Sequence, residues 1–138
     1  MMTRARLSDL LAALSHFLYI LSLLLPAIRP DQGPEFWTGL ECLIYAFPFG
    51  FLFHPAPWAN LTFAVGACVL ARGYSIPAAV MAVISMLLAG SIVLPEVTLL
   101  PGYWMWMGAM GTQLIAAAIY PIPDGPGRQA GMPANRTE

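Results

Sequence analysis

From Ile76 to Leu94 the chain runs nineteen residues without one ionisable side chain. A bilayer hydrocarbon core about 30 Å thick needs roughly 20 apolar residues in a helix that rises 1.5 Å per residue, so this run reads as a membrane crossing. Pro77 falls in its first turn, where a missing N–H costs nothing. A second run, Leu10 to Ile28, follows Arg4, Arg6 and Asp9, and its only polar members are Ser15, His16, Tyr19 and Ser22. It is too long for the apolar part of a secretory signal. It also closes on Pro26-Ala27-Ile28-Arg29-Pro30 rather than a small-x-small cleavage pattern, so it is read as a retained span. A third run, Tyr103 to Tyr120, opens on Tyr103, Trp104 and Trp106 and ends on Tyr120-Pro121, with aromatics at both ends as interfacial belts have them.

Composition closes off the alternatives. Of 138 residues, 59% are apolar and 9% charged, against about 25% charged in a soluble domain. A globule of this size cannot hide so much apolar surface. A disordered chain needs the opposite balance. A net charge of −1 leaves no basic field to hold nucleic acid. The fold class is therefore all-α, a polytopic membrane helix bundle with the lipid bilayer as its first partner. The basic residues are all arginine, a habit of GC-rich genomes that suggests a bacterium.

The stretch from Trp37 to Ala71 is apolar but broken by Pro48, His54, Pro55 and Pro57. If residues 39–53 and 58–71 both cross, the chain has five spans. If only the later piece crosses, it has four, and residues 39–53 form a half-inserted or interfacial helix. Cytoplasmic loops are enriched in Lys and Arg. With the N-terminus inside, four spans put Arg4, Arg6, Arg72, Arg128 and Arg136 inside and Arg29 outside, whereas five spans leave only Arg4 and Arg6 inside. Four spans are favoured, at about 10–28, 57–71, 76–94 and 103–120, in a cell inner membrane with N-terminus and C-terminus cytoplasmic. Residues 1–121 then form the bundle, and the Pro- and Gly-rich residues 122–138 read as a disordered tail. The 57–71 span is short, roughly 22 Å by helical rise, which calls for local thinning or burial among neighbours.

Ionisable groups at membrane depth cost about 2.5–3.5 kcal/mol, which makes each a functional candidate. Glu41 has Trp37 and Tyr45 four residues to either side and suits a cation, a proton or a lipid headgroup; its place near the start of an element equally suits a helix cap. His54 lies in the turn before Pro55-Ala56-Pro57-Trp58, where it can sense pH or simply satisfy carbonyls freed by the prolines, with Trp58 and Asn60 anchoring the turn. Ser15, Tyr19 and Ser22 share a helical face with His16 beside it, a pattern that favours interhelical hydrogen bonds over a proton relay. Gly108, Thr112 and Ala116, with Gln113 alongside, read as a close-packing face. Cys42 and Cys68 read as small hydrophobes. No metal-ligand spacing, nucleophile elbow, phosphate loop or dinucleotide fingerprint occurs, so no catalytic residue, cofactor or metal is assigned, and an enzyme is not expected.

Trp37-Thr38-Gly39-Leu40-Glu41-Cys42, Trp58-Ala59-Asn60 and Gly102-Tyr103-Trp104-Met105-Trp106 resemble segments of a set of small uncharacterised bacterial multi-pass membrane proteins. In those, a G-W-E-C stretch and a W-L-A-N-P stretch recur before the last spans. Here Leu40 stands in place of the Trp, and the second stretch lacks the Leu and the Pro. The resemblance implies a bacterial membrane location and no particular activity. The expectation is a non-enzymatic accessory, assembly or immunity-type subunit. Its working surface is an outer rim of Trp37, Glu41, Tyr45, His54, Trp58, Tyr103 and Trp104, and its partner is another membrane protein or a second copy of the chain. The alternative is an oligomeric small-solute or ion carrier using Glu41. Four spans in this length are similar in shape to small multidrug transporters, although the first span lacks the embedded Glu those depend on.

Overall fold

The computed structural model describes residues 3–30, 35–44, 55–91 and 97–121. The first helix, α1 (Arg4–Leu24), starts at Thr3, whose hydroxyl accepts the Arg6 N–H at 3.4 Å. It stops because Leu25 precedes a proline, whose ring disfavours helical backbone at the residue before it; Leu25 is extended, with ψ 153°. The next long helix, α2 (Ala56–Ala71), opens with Pro57 in its first turn. It ends in a reverse turn where Gly73 N–H reaches Leu70 O at 2.8 Å and Tyr74 N–H reaches Val69 O at 3.1 Å. That pairing needs a left-handed residue, which Gly73 supplies at φ 84°. The chain then re-enters as α3 (Ser75–Gly90), and α4 (Pro101–Ile119) begins on a proline at its first helical position.

The four helices run up, down, up and down. Ser8 Oγ donates to Ala116 O at 2.8 Å and Ser15 Oγ to Ala109 O at 2.7 Å, so seven residues forward on α1 is seven residues back on α4. The Thr62–Ser85 hydroxyl pair (2.7 Å) sets α2 antiparallel to α3, and Tyr103 Oη donating to Ala89 O (3.2 Å) does the same for α3 and α4. Contacts are densest between α1 and α4 and between α2 and α3, with α4 also against α3. The inward positions recur at three and four residues: Ser8, Ser15 and Ser22 on α1; Ala59, Phe63, Gly66 and Leu70 on α2; Ser75, Ala78, Ala82, Ser85 and Ala89 on α3; Ala109, Gln113 and Ala116 on α4. This is the 3.5-residue repeat of left-handed bundles.

What fills those positions reverses the usual sorting. Water-soluble bundles bury leucine and isoleucine and expose serine and alanine. Here serine, alanine and glycine make up most of the contacts, around Phe63, Leu70, Tyr103 and Met110, while Leu10, Phe17, Ile20 and Leu24 on α1, Leu61 and Val65 on α2, Ile76, Val80 and Leu87 on α3, and Ile115 on α4 face outward. Small side chains let the helix backbones approach closely, and the Ser8 and Ser15 hydroxyls then reach carbonyls of the neighbouring helix.

The far end of the bundle carries a sheet absent from the sequence reading. β1 (Pro26–Pro30) is central, antiparallel to β2 (Trp37–Thr38) and to β3 (Val97–Leu99), with Ile28 opposite both Trp37 and Leu99. Two glycines seat this sheet on the helices. A side chain at Gly39 would strike the Ser22 carbonyl, and one at Gly102 would come within 2.7 Å of Pro26 O and 2.8 Å of Leu25 O. The span expected at 10–28 is corrected accordingly: the helix begins at Arg4, and residues 26–28 are strand. The spans expected at 57–71 and 103–120 correspond to α2 and α4, while α3 closes at Gly90 rather than 94. Residues 39–44 are helical, as the start of the expected 39–53 segment requires; its remainder, with Tyr45, His54, Glu96 and the 122–138 tail, lies outside the described residues.

Among the described residues one helix, α1, is by itself long and apolar enough to cross a membrane. The apolar stretches Pro57–Ala71 and Ser75–Gly90 are shorter. α4 has 19 residues, but Tyr103, Trp104, Trp106 and Gln113 lower its hydropathy.

Candidate functional site

The sheet end gathers most of the expected rim. Trp37 lies in β2, Glu41 in the helical segment 39–44, Trp58 in the first turn of α2 and Trp104 in the first turn of α4. All four are exposed, Trp104 at 59%. Tyr103 departs from the group. It is 3% exposed and points inward, its hydroxyl on Ala89 O and its ring edge-on to Trp104 (5.3 Å between centroids) and Trp106 (6.0 Å). It holds α3 to α4 rather than offering a surface.

Glu41 forms a capping box with Thr38. Its carboxylate accepts the Thr38 N–H at 2.7 Å and the Thr38 hydroxyl at 2.9 Å, and its own N–H reaches Thr38 Oγ1 at 3.2 Å. The backbone bond from Thr38, then the hydroxyl bond, hold the carboxyl below the usual carboxylate range. Beside it, burial and then the Glu41 charge push the Cys42 thiol up to about 11, so it stays protonated and unreactive at neutral pH.

Above the bundle's middle, Asn60 joins three helices. Its Oδ1 accepts from Tyr19 Oη on α1 and from Trp106 Nε1 on α4, each at 3.0 Å. An indole N–H can only donate, which fixes the amide oxygen on that side. Tyr19 also stacks on Phe63 of α2, 4.9 Å between centroids at 18°. Asn60 therefore ties the bundle together across helices, where the sequence reading had it anchoring the turn before α2.

At the opposite end, α1, α2 and α4 border a partly open cavity of about 180 Å³. Its polar lining is Ser8, Asp9, His16, Gln113 and Tyr120, and Leu70 contributes to its apolar wall. Ser8 is committed to Ala116 O. His16 Nδ1 lies 2.6 Å from Ala12 O; a carbonyl only accepts, so Nδ1 is the donor in this contact. Gln113 is 1% exposed, with Nε2 donating to Phe63 O at 3.3 Å and Oε1 without a partner among the described residues. Gly66 makes room for this amide, since a Cβ there would fall 2.5 Å from Gln113 Nε2. A buried amide oxygen left unpaired costs about 1–3 kcal/mol. The Asp9 carboxylate has no hydrogen bond or ion pair among the described residues. The sequence reading placed Gln113 beside a packing stripe and passed over Asp9 and Tyr120. The signal was the i, i+7 pairing of Asp9 and His16 on one face of α1.

Among the described residues no group of three or more His, Cys, Asp or Glu could hold a metal ion. Cys42 is half-buried and Cys68 exposed, both as free thiols. In comparisons with known proteins, no family model, no curated sequence and no solved structure matches this chain.

Proposed function

We propose that this chain is a bacterial inner-membrane protein of four antiparallel spans. It works without enzymatic chemistry, through contact between its sheet-end rim and another membrane protein, as an accessory or assembly subunit. The observation that carries the reading is the reversed sorting of side chains, with leucine, isoleucine and phenylalanine outward on helices that meet through serine, alanine and glycine. An outward apolar surface on every helix is stable against acyl chains and costly against water.

Length fits this arrangement with local adjustment. α1, at 21 residues, reaches about 31 Å, and α2 and α3, at 16 residues each, about 24 Å. Short helices inside a bundle are met by bilayer thinning and by the segments that extend them. The charges agree: Arg4, Arg6 and the Arg72 turn lie at one end of the bundle, Arg29 at the sheet end.

Trp37, Trp58 and Trp104 gather at the sheet end, where aromatics suit the membrane interface and the centre of protein contacts. A carrier working through Glu41 draws no support from its surroundings, because the carboxylate caps its own helix through two Thr38 bonds to Oε2. The test is a photo-crosslinking amino acid at position 104, followed by purification from gently solubilised membranes. A discrete crosslinked partner or dimer is expected; a monomer alone, at full expression and membrane integration, overturns the contact reading.

A further inference from the structure

Three sides of the bundle are closed by helix backbones in contact, α1 on α4, α4 on α3 and α3 on α2. On the fourth side α1 and α2 hardly approach each other. Side chains bridge that seam at one level, where Tyr19 Oη donates to Asn60 Oδ1 and Phe63 takes the rings of Tyr19 (4.9 Å between centroids) and His16 (6.1 Å). Toward the Gly73 turn the seam opens into the cavity, with Ala12 on one wall and Ala67, Leu70 and Ala71 on the other. Alanines on both walls leave a groove that larger side chains would shut.

The two helices pass each other in a steady antiparallel register. Tyr19 stands level with Asn60 and His16 with Phe63, and the same step carries Ala12 level with Ala67 and Asp9 level with Leu70, all on the cavity wall. Carried further, it brings Arg72 level with the opening turn of α1, which holds Arg4 and Arg6. Arg6, three residues before Asp9, shares its face of the helix. The three arginines are exposed, and among the described residues none of them has an ion pair. Tyr120 brings a hydroxyl to the same end, 3.4 Å from where a Cβ at Gly73 would sit. Asp9 is the one acidic residue set against these charges among the described residues of this end.

An apolar groove that opens sideways between two spans faces acyl chains, and a cationic mouth at its end faces headgroups. That is the charge order of an anionic phospholipid. We propose that the α1–α2 seam seats one such lipid, with part of an acyl chain between Ala12 and Leu70 and the phosphate shared by Arg6 and Arg72. The proposal rests on the membrane-spanning reading and is independent of what the rim contacts. A cavity of about 180 Å³ is slightly larger than one of about 150 Å³ that accepts benzene, so roughly six to eight carbons of the chain fit inside. The Asp9 carboxylate and the Tyr120 hydroxyl lie at headgroup level, where they suit the hydroxyls of a glycerol headgroup.

The test is native mass spectrometry of the full chain in mild detergent, after incubation with equal amounts of phosphatidylglycerol and phosphatidylethanolamine. Retention of one phosphatidylglycerol is expected, preferred about tenfold over phosphatidylethanolamine, as about fivefold for each of two arginines allows. Arg6→Gln and Arg72→Gln, both at exposed positions, are each expected to weaken phosphatidylglycerol about fivefold. Ala67→Phe fills the groove and is expected to lower retention of both lipids while the helical circular dichroism stays that of the parent. Glycerol phosphate, a headgroup without a chain, is expected to displace neither. Equal retention of the two lipids, arginine variants that bind as the parent does, undiminished retention in a folded Ala67→Phe protein, or displacement by glycerol phosphate each overturns the proposal. Recovery of the chain in the soluble fraction would instead remove the membrane reading, and the lipid seat with it.

Discussion

Replacing Ser15 tests whether small residues set the spacing of α1 and α4. Ser15 is fully buried, and its hydroxyl sits 2.7 Å from the carbonyl of Ala109, itself fully buried on the facing helix. Ser15→Ala removes only that bond. The Ala109 carbonyl lies in mid-helix and keeps its own helical partner, so the loss is about 0.6 kcal/mol, the usual worth of an interhelical hydrogen bond in a membrane bundle. Ser15→Leu removes the same bond and forces a four-carbon side chain between two backbones that now meet over an alanine. Overpacking of a tight contact costs about 1–3 kcal/mol, so the total is about 2–4 kcal/mol. Unfolding in mixed micelles of increasing denaturing detergent, followed by circular dichroism, measures both. The expected order is parent, Ser15→Ala, Ser15→Leu, with the second step several times the first. A Ser15→Leu protein as stable as Ser15→Ala would mean that the helices are not held at close range there, and the argument from small residues fails.

Asn60→Leu leaves Tyr19 Oη and Trp106 Nε1 without their shared acceptor. It should cost about 1–3 kcal/mol in the same unfolding assay, and combining it with Tyr19→Phe should cost less than the sum of the two. Gly73→Ala places a side chain at φ 84° and close to the Tyr120 hydroxyl, for a loss of about 1–2 kcal/mol; a neutral result would remove the reverse turn from the account. For Glu41 the folded-state pKa is depressed, so its capping contribution is present above the unfolded value and lost as pH falls through the folded one. The Thr38 amide resonance should therefore titrate at a pH below the ordinary glutamate range, and Glu41→Gln should abolish that titration.

The apolar helices were legible as helices because long charge-free runs have their ends marked by arginine or proline. α2 matches its expected limits almost to the residue, since Pro57 marks its start and Arg72-Gly73 its end. The Ser15, Tyr19 and Ser22 stripe was legible for the same periodic reason, and Ser15 and Tyr19 do bond across helices. The sheet was not. Pro26–Pro30 shows no alternation and is flanked by prolines, and its strand character comes from Thr38, Thr98 and Leu99 brought to it from distant positions.

Packing faces were also ambiguous. Of the expected face Gly108, Thr112 and Ala116 with Gln113 alongside, Ala116 and Gln113 are buried together with Ala109, whereas Gly108 is exposed and a Cβ there would meet nothing within 4 Å. Sequence spacing marks a helix able to pack closely and leaves the choice of face to the neighbours. The same limit hid the cavity: Asp9 on α1, Leu70 on α2 and Gln113 on α4 are far apart in sequence, and only their assembly puts them around one space.

The central claim is that lipid surrounds the outward leucines and isoleucines, with the sheet on one side of the membrane and the Gly73 turn on the other. Impermeant maleimide labelling in intact cells tests it most directly, using Thr98→Cys in β3 and Tyr74→Cys after α2, both exposed, in a chain whose Cys42 and Cys68 are replaced by alanine. The account predicts that Cys at 98 labels from outside, whereas Cys at 74 labels only after the membrane is opened. Equal labelling of both positions under either condition, or recovery of the chain in the soluble fraction, would contradict it.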